Sequence, residues 1–243
     1  MDKAYSLQYI ELEKTHWWFL ARAAIISAVL NKFMPQQPIS ILNIGVAGGE
    51  SSQWLSHFGK VTSVENDSFF IEHLKNSGKD IVEGSISRLP FVDSCFDLVC
   101  AFDVVEHVED DQKAMAEMKR VCREDGFICI TVPADRKLWS GHDVVNQHFR
   151  RYQITDFCML GSGMKSIYIS YFNSFLYIPI WIARTWPYRN RISPQSDFET
   201  FKAGSLSNRI LKHIFSFEAR LMPALKFPFG VSLIGLWKVS KKL

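Results

Sequence analysis

The sequence predicts an α/β protein built on a mostly parallel sheet with helices on both faces. Three observations carry this. Short, nearly uninterrupted apolar runs at 41–45, 96–105 and 126–133 alternate with segments of helical character, the pattern of strands buried on both faces. The first run breaks directly into a glycine turn, Gly45-Val46-Ala47-Gly48-Gly49. The next strand ends in an acid, Glu65, 20 residues after Gly45, where an open sheet of this kind meets the ribose of a nucleoside.

The elements follow in order. Residues 12–34 have apolar positions near helical spacing (Trp17, Leu20, Ala24, Val29) and stop at Met34-Pro35. Residues 41–45 are the first strand. Ser51 to His57 suits a first crossover helix, and the β-branched run 60–65 a second strand. Ser68 to Asn76 reads as a helix capped by Asp67 or Ser68, and 80–83 as a short third strand. After the strand at 96–105, Asp110 to Arg123 begins in acids and ends in bases, as the helix dipole favours. Residues 126–133 form another buried strand. Later, 165–172 reads as a strand, 174–186 as a strongly apolar stretch containing Pro179, 187–200 as loop, 206–221 as an amphipathic helix and 231–240 as a closing strand.

At 243 residues, 47% of them apolar and 22% charged, the chain suits one globular domain and excludes a disordered or coiled-coil protein. Its five cysteines show no C-x-x-C spacing, which speaks against a zinc ribbon or a disulfide framework and for a reducing cytoplasm. The start has no signal-peptide pattern. No apolar stretch reaches 18 clean residues, so a span is not expected, though peripheral membrane contact through 174–186 stays open. Charge is split: residues 1–135 hold 20 acids and 12 bases, and residues 136–243 hold 5 and 16. The basic half would suit an anionic partner or simply expose solvated faces.

The glycine turn selects among cofactors. A dinucleotide fingerprint wants glycines at 45, 47 and 50, where the chain has Gly45, Ala47 and Glu50. Glu50 would oppose a pyrophosphate at the helix start. A cofactor with a sulfonium and no phosphate tolerates it. No G-K-[ST] follows, which excludes a P-loop.

On these residues the chain resembles class I S-adenosylmethionine-dependent methyltransferases. ILNIGVAGG at 41–49 is similar to their first motif, Glu65 to the acid ending strand 2, and 83–111 and 118–134 to their later segments. HWWF-x-x-R (His16 to Arg22), W-S-x-H-D (Trp139 to Asp143) and H-x-R-R-Y (His148 to Tyr152) resemble a bacterial small-molecule, type 11-like branch. Asn43 and Ala47 depart from the first motif, and Ser85 stands where an Asp often meets adenine.

The resemblance implies a Rossmann-like, seven-stranded, mostly parallel sheet in a single domain, 1–243. Residues 1–36 would be a helical lid, 37–172 the core, 173–228 a helical insertion over the substrate side between strands 6 and 7, and 229–243 the closing strand. It also implies S-adenosylmethionine held by Arg22, Asn43, Gly45, Ala47, Gly49, Glu65, Asn66, Ser85, Ile86 and Asp103. His107, in an E-H pair with Glu106, is the first candidate for general base and His148 the second, since imidazole titrates near neutral pH. His142, Arg150, Arg151 and Tyr152 are candidates for the acceptor, with bracing of the strand-5 loop as the alternative for Arg151 and Tyr152. His142 and His148 with Asp143 could bind a metal, but none is expected. The acceptor expected is a small molecule, anionic or amphiphilic, methylated on oxygen or nitrogen. A peptide carboxylate and a degenerate cofactor-binding partner subunit are the alternatives, and no nucleic acid is expected.

Overall fold

Among the described residues, seven strands form one sheet: β1 Ile39–Ile44, β2 Gly59–Glu65, β3 Val82–Glu83, β4 Phe96–Phe102, β5 Cys122–Pro133, β6 Lys165–Phe172 and β7 Ser232–Lys238. Their order is β3-β2-β1-β4-β5-β7-β6. β1 through β5 pair in parallel, and β7 runs antiparallel to both β5 and β6. The computed structural model describes residues 3–185, 197–200 and 204–240. From β1 the chain builds outward through β2 to β3, then returns to place β4 on the other side of β1. The carboxyl ends of β1 and β4 therefore diverge into a crevice, where open sheets bind ligands.

The apolar runs are continuous because helices cover both faces. Along β4, Leu98 and Cys100 point one way, into a core with Ile25, Val29 and Phe215. Val99 and Ala101 point the other way, against Met115, Met118 and Phe157. Helix α1 spans Lys3–Thr15 and α2 Trp17–Phe33. The single helix expected at 12–34 is thus two, the first beginning far earlier. They break at His16, whose side chain caps α2 by accepting from the Trp18 amide at 3.2 Å. α3 is Glu50–Leu55, α4 Ser68–Asn76 and α5 Asp111–Val121. The loop after β5 contains two helices not read from the sequence, α6 Gly141–Val145 and α7 Ile154–Leu160. The strand at 80–83 shrinks to two residues. All five cysteines are free thiols.

Between β6 and β7 lie α8 Tyr177–Thr185, a 3-10 turn Asp197–Thr200 and α9 Leu206–Leu221. Pro179 sits in the first turn of α8, where its missing N–H costs nothing. The expected loop at 187–200 falls mostly outside the described residues. α9 packs along α2: Phe215 is buried, lies parallel to Phe172 at 6.0 Å and meets Trp17 edge-on. Asn208 accepts from the Trp17 amide at 2.9 Å and donates to the Thr15 carbonyl at 3.0 Å, stitching α9 to the α1–α2 break. Part of the insertion therefore completes the core, and its other part reaches the crevice.

Phe175, Ile178, Trp181 and Ile182 at α8 are exposed, as are Ile210, Ile214 and Phe217 on α9. Among the described residues, no helix is long and apolar enough to cross a membrane.

The buried carboxylate of Glu218 anchors the exit from β6. It accepts from the amides of Asn173 at 2.7 Å, Ser174 at 2.7 Å and Phe175 at 2.9 Å, which lets Asn173 hold a positive φ of 58°. Glu218→Ala strands these amides and should cost about 2–4 kcal/mol. A urea midpoint unchanged from wild type would contradict this.

Candidate active site

Gly45 turns the chain out of β1 with φ 69°, and a Cβ there would stand 2.5 Å from Val104. Ala47 follows in the same left-handed region at φ 43°, a strain of about 1–2 kcal/mol for a residue with a side chain. Glu65 holds it there. One carboxylate oxygen accepts from the Ala47 amide at 2.9 Å, the other from the amides of Asn66 at 2.8 Å and Asp67 at 3.0 Å. The acid ending β2 thereby locks the turn after β1. Asn43 lies beneath this turn and donates to Ser51 and Ser52, each at 2.9 Å, so it ties β1 to α3. Asn66 is exposed at the end of β2, Ser85 is exposed just past β3, and Ile86 is buried beside it.

α1 lies over the turn. The Glu13 carboxyl rests against Gly48, its Oε2 without a hydrogen-bond partner. Burial raises it to about 8, against the pull of Arg22 and helped by Glu50. From α2, Arg22 pairs with Asp103 at the end of β4 and lies under the Trp18 ring, 4.6 Å from its centroid. Asp103 has φ 56°, and its carboxylate also accepts from Thr131 Oγ1 at 3.2 Å.

The second wall comes from the loops after β4 and β5. Asp143 is fully buried and accepts from His148 Nδ1 at 2.9 Å, Arg151 Nε at 2.8 Å and the Ser140 amide at 2.9 Å. Despite burial, His148, Arg151 and Arg184 hold its carboxyl far below the usual range. Arg151 also donates to the Ala134 carbonyl. His107 meets His148 edge-on at 4.7 Å. Burial and His148 lower it to about 4, against hydrogen bonds to the backbone of Asn146 and Gln147. His142 packs on Phe198 at 4.7 Å, and burial lowers it to about 3.

Of the expected residues, Asp103, His107, His142, His148 and Arg151 line the crevice, and Arg22 pairs with Asp103 at its edge. Arg150 and Tyr152 lie elsewhere: Arg150 bonds the Glu109 carbonyl and Asp111, and Tyr152 donates to Asp111 at 2.9 Å, so both fasten the loop to α5. Arg151 and Tyr152 thus brace the strand-5 loop, at Asp143 and Asp111, while Asp156 pairs with Arg136.

Tyr9, Glu106, Asn146, Arg184 and Phe198 also line the crevice, and were not among the expected site residues. The cavity is about 80 Å³, room for a few waters, and the Gly45–Gly49 turn, Glu65 and Ile86 lie outside its lining. A larger hollow of about 380 Å³ lies at the amino-terminal edge of the sheet, between Met34–Pro38 and His57–Lys60, away from the strand ends and this chemistry.

Residues 42–130 match the family model described as a methyltransferase domain. This is the class I methyltransferase fold. The chain is similar over 99% of its length to a chain, 96% covered, from the complex between the Haloferax volcanii Trm112 methyltransferase activator and a methyltransferase (TM-score 0.63, 12% identity). Against a Mycobacterium tuberculosis protein named "Probable S-adenosylmethionine-dependent methyltransferase" it is 21% identical over 126 residues, 51% of this chain and 45% of that one. Against a methyltransferase of Schizosaccharomyces pombe it is 44% identical over 46 residues, 19% of this chain and 16% of that one. The chain spans less than half the length of these curated relatives.

S-adenosylmethionine is the cofactor named for the Mycobacterium tuberculosis relative, and the residues around the Gly45–Gly49 turn fit it. The cofactor carries a sulfonium and an ammonium. Asp103 balances the guanidinium of Arg22, and Glu13, neutral until a cation beside it draws off its proton, has an oxygen without a hydrogen-bond partner for that cation. Glu65 keeps acceptor lone pairs at the end of β2, though they also hold the turn. Removing that carboxylate should weaken S-adenosylmethionine binding 10- to 100-fold, the worth of its charge-assisted hydrogen bonds. Calorimetry on Glu65→Ala checks this, and an affinity equal to wild type would contradict it.

Proposed function

We propose that the protein transfers a methyl group from S-adenosylmethionine to an oxygen or nitrogen of a small amphiphilic acceptor. The bound cofactor supplies an electrophilic methyl on its sulfonium. The protein's part is to position the acceptor, exclude water and take a proton.

The Asp143–His148 pair carries this reading. Donation from Nδ1 to a fully buried carboxylate fixes the imidazole tautomer and leaves Nε2 as the basic nitrogen. His148 therefore takes the acceptor's proton, and Asp143 orients the ring and stabilises its protonated form. His107, held neutral by burial at about 4, is a weaker base at neutral pH.

Acceptor character follows from the lining. Arg151 is committed to Asp143 and the Ala134 carbonyl, and Arg184 to Asp197 and the Leu138 carbonyl. Neither guanidinium has its full fork left for an anion. Tyr9, Trp18 and Phe198 offer aromatic surface instead, which favours an acceptor with an apolar or aromatic body. The exposed stripes of α8 and α9 give such a molecule, or a membrane surface carrying it, an approach to the cleft.

His148→Ala should lower kcat about 10²- to 10⁴-fold while leaving cofactor affinity unchanged. Asp143→Asn should lower kcat and shift the pH profile. Both are read as demethylated cofactor formed with a panel of phenolic and carboxylate acceptors. Full turnover by His148→Ala would overturn the assignment. Cofactor binding with no turnover of any acceptor would favour a partner subunit.

A further inference from the structure

Methyl transfer as described leaves one group unused. Glu106 is completely buried, and neither carboxylate oxygen has a hydrogen-bond partner. A lone buried carboxylate costs several kcal/mol unless a proton or a cation accompanies it. Around it stand two imidazoles. Glu106, His107 and His148 each bring one ligand atom within 4.8 Å of the others.

Both rings are already oriented from behind. His148 gives Nδ1 to Asp143, which Arg151 and the Ser140 amide hold in place. His107 is turned toward the backbone of Asn146 and Gln147. Nδ1 of His148 is thus engaged by oxygen and its Nε2 is left for the cluster, as in metal-binding imidazoles. The Phe149 amide donates to the Glu106 carbonyl at 2.8 Å, so the two loops that bear these residues are joined by backbone.

We propose that Glu106, His107 and His148 bind one divalent first-row transition ion, with Asp143 as the positioning residue behind His148. Two imidazoles and one carboxylate suit Zn²⁺, Fe²⁺ or Mn²⁺ and not Mg²⁺ or Ca²⁺, which take oxygen ligands. Bond lengths of about 2.0–2.2 Å require the three groups to draw together around the ion. The trio the sequence offered, His142, Asp143 and His148, is a different one: Asp143 is spent on its donors, and His142 packs on Phe198.

The site deepens the proposed function and rests on it only for its consequence. With the ion bound, His148 is a ligand and no longer takes the acceptor's proton, so the ion replaces it in activating the acceptor and the base role of His148 belongs to the ion-free protein. An acceptor hydroxyl that coordinates the ion exchanges its O–H bond for an O–metal bond, and its proton leaves to water at a pH nearer neutral.

The test needs neither cofactor nor acceptor. The full chain, stripped with a chelator and dialysed, is titrated calorimetrically with Zn²⁺ and, without oxygen, with Fe²⁺ and Mn²⁺. One equivalent should bind, with proton release seen as a buffer-dependent heat. Glu106→Gln and His107→Ala should each weaken binding at least tenfold, and Asp143→Asn should weaken it 10- to 100-fold. Cys158→Ser, at an exposed thiol outside the cleft, should bind as wild type does. Absence of stoichiometric binding overturns the proposal, as does binding that Glu106→Gln and His148→Ala leave unchanged. Cofactor affinity measured on the same samples separates the two readings: ion binding without S-adenosylmethionine binding sinks the methyltransferase reading alone.

Discussion

A fully buried carboxylate must be paired, and Asp143 satisfies that constraint by organising the loop after β5 around itself. It draws in a histidine, an arginine and a backbone amide from residues 140, 148 and 151. Removing it would leave Arg151 buried and uncompensated, a loss larger than the hydrogen bonds themselves. Because Arg151 also grips the Ala134 carbonyl, the same carboxylate fixes this loop to the end of β5. His148 is aimed at the crevice as a consequence.

The opposite wall obeys a related constraint. Ala47 and Asp103 hold positive φ, so the ends of β1 and β4 are strained where the cofactor would approach. Glu65 secures the Ala47 end of this strain, and the Arg22 and Thr131 contacts secure Asp103. Strain of this kind persists only where the surroundings over-determine it. Glu13, protonated up to about pH 8 by burial, lets α1 close on the turn without adding a charge, and a cation beside it would draw that proton off.

The sheet was legible because a strand buried on both faces leaves an apolar run that no loop imitates. β1, β4, β5 and β7 announce themselves in this way, and the glycine turn with Glu65 announces the crevice. α1 was not legible before residue 12. It buries Ser6 and Glu13 beside Tyr5, Ile10 and Leu12, so its inner face carries no clean apolar period. The break at His16 is a tertiary event, held by Asn208 from the far end of the chain. Arg184 and Phe198 reach the crevice from an insertion whose path no local pattern encodes. Asp143, Arg151 and His148 were singled out as residue types, but their pairing depends on how the α6 turn folds back. Tyr9 and Glu13, one helical turn apart, share a face above the crevice; that spacing was the one signal that could have found them.

The proposed function requires S-adenosylmethionine to bind at the Gly45–Gly49 turn despite Asn43 and Ala47 in the first motif. The direct measurement is a calorimetric titration of the purified protein with S-adenosylmethionine and with its demethylated product. One site of micromolar affinity for the cofactor is the result expected from a turn locked by Glu65 and lined by Glu13 and Asp103. No detectable binding of either compound, to protein shown to be folded, would contradict the account.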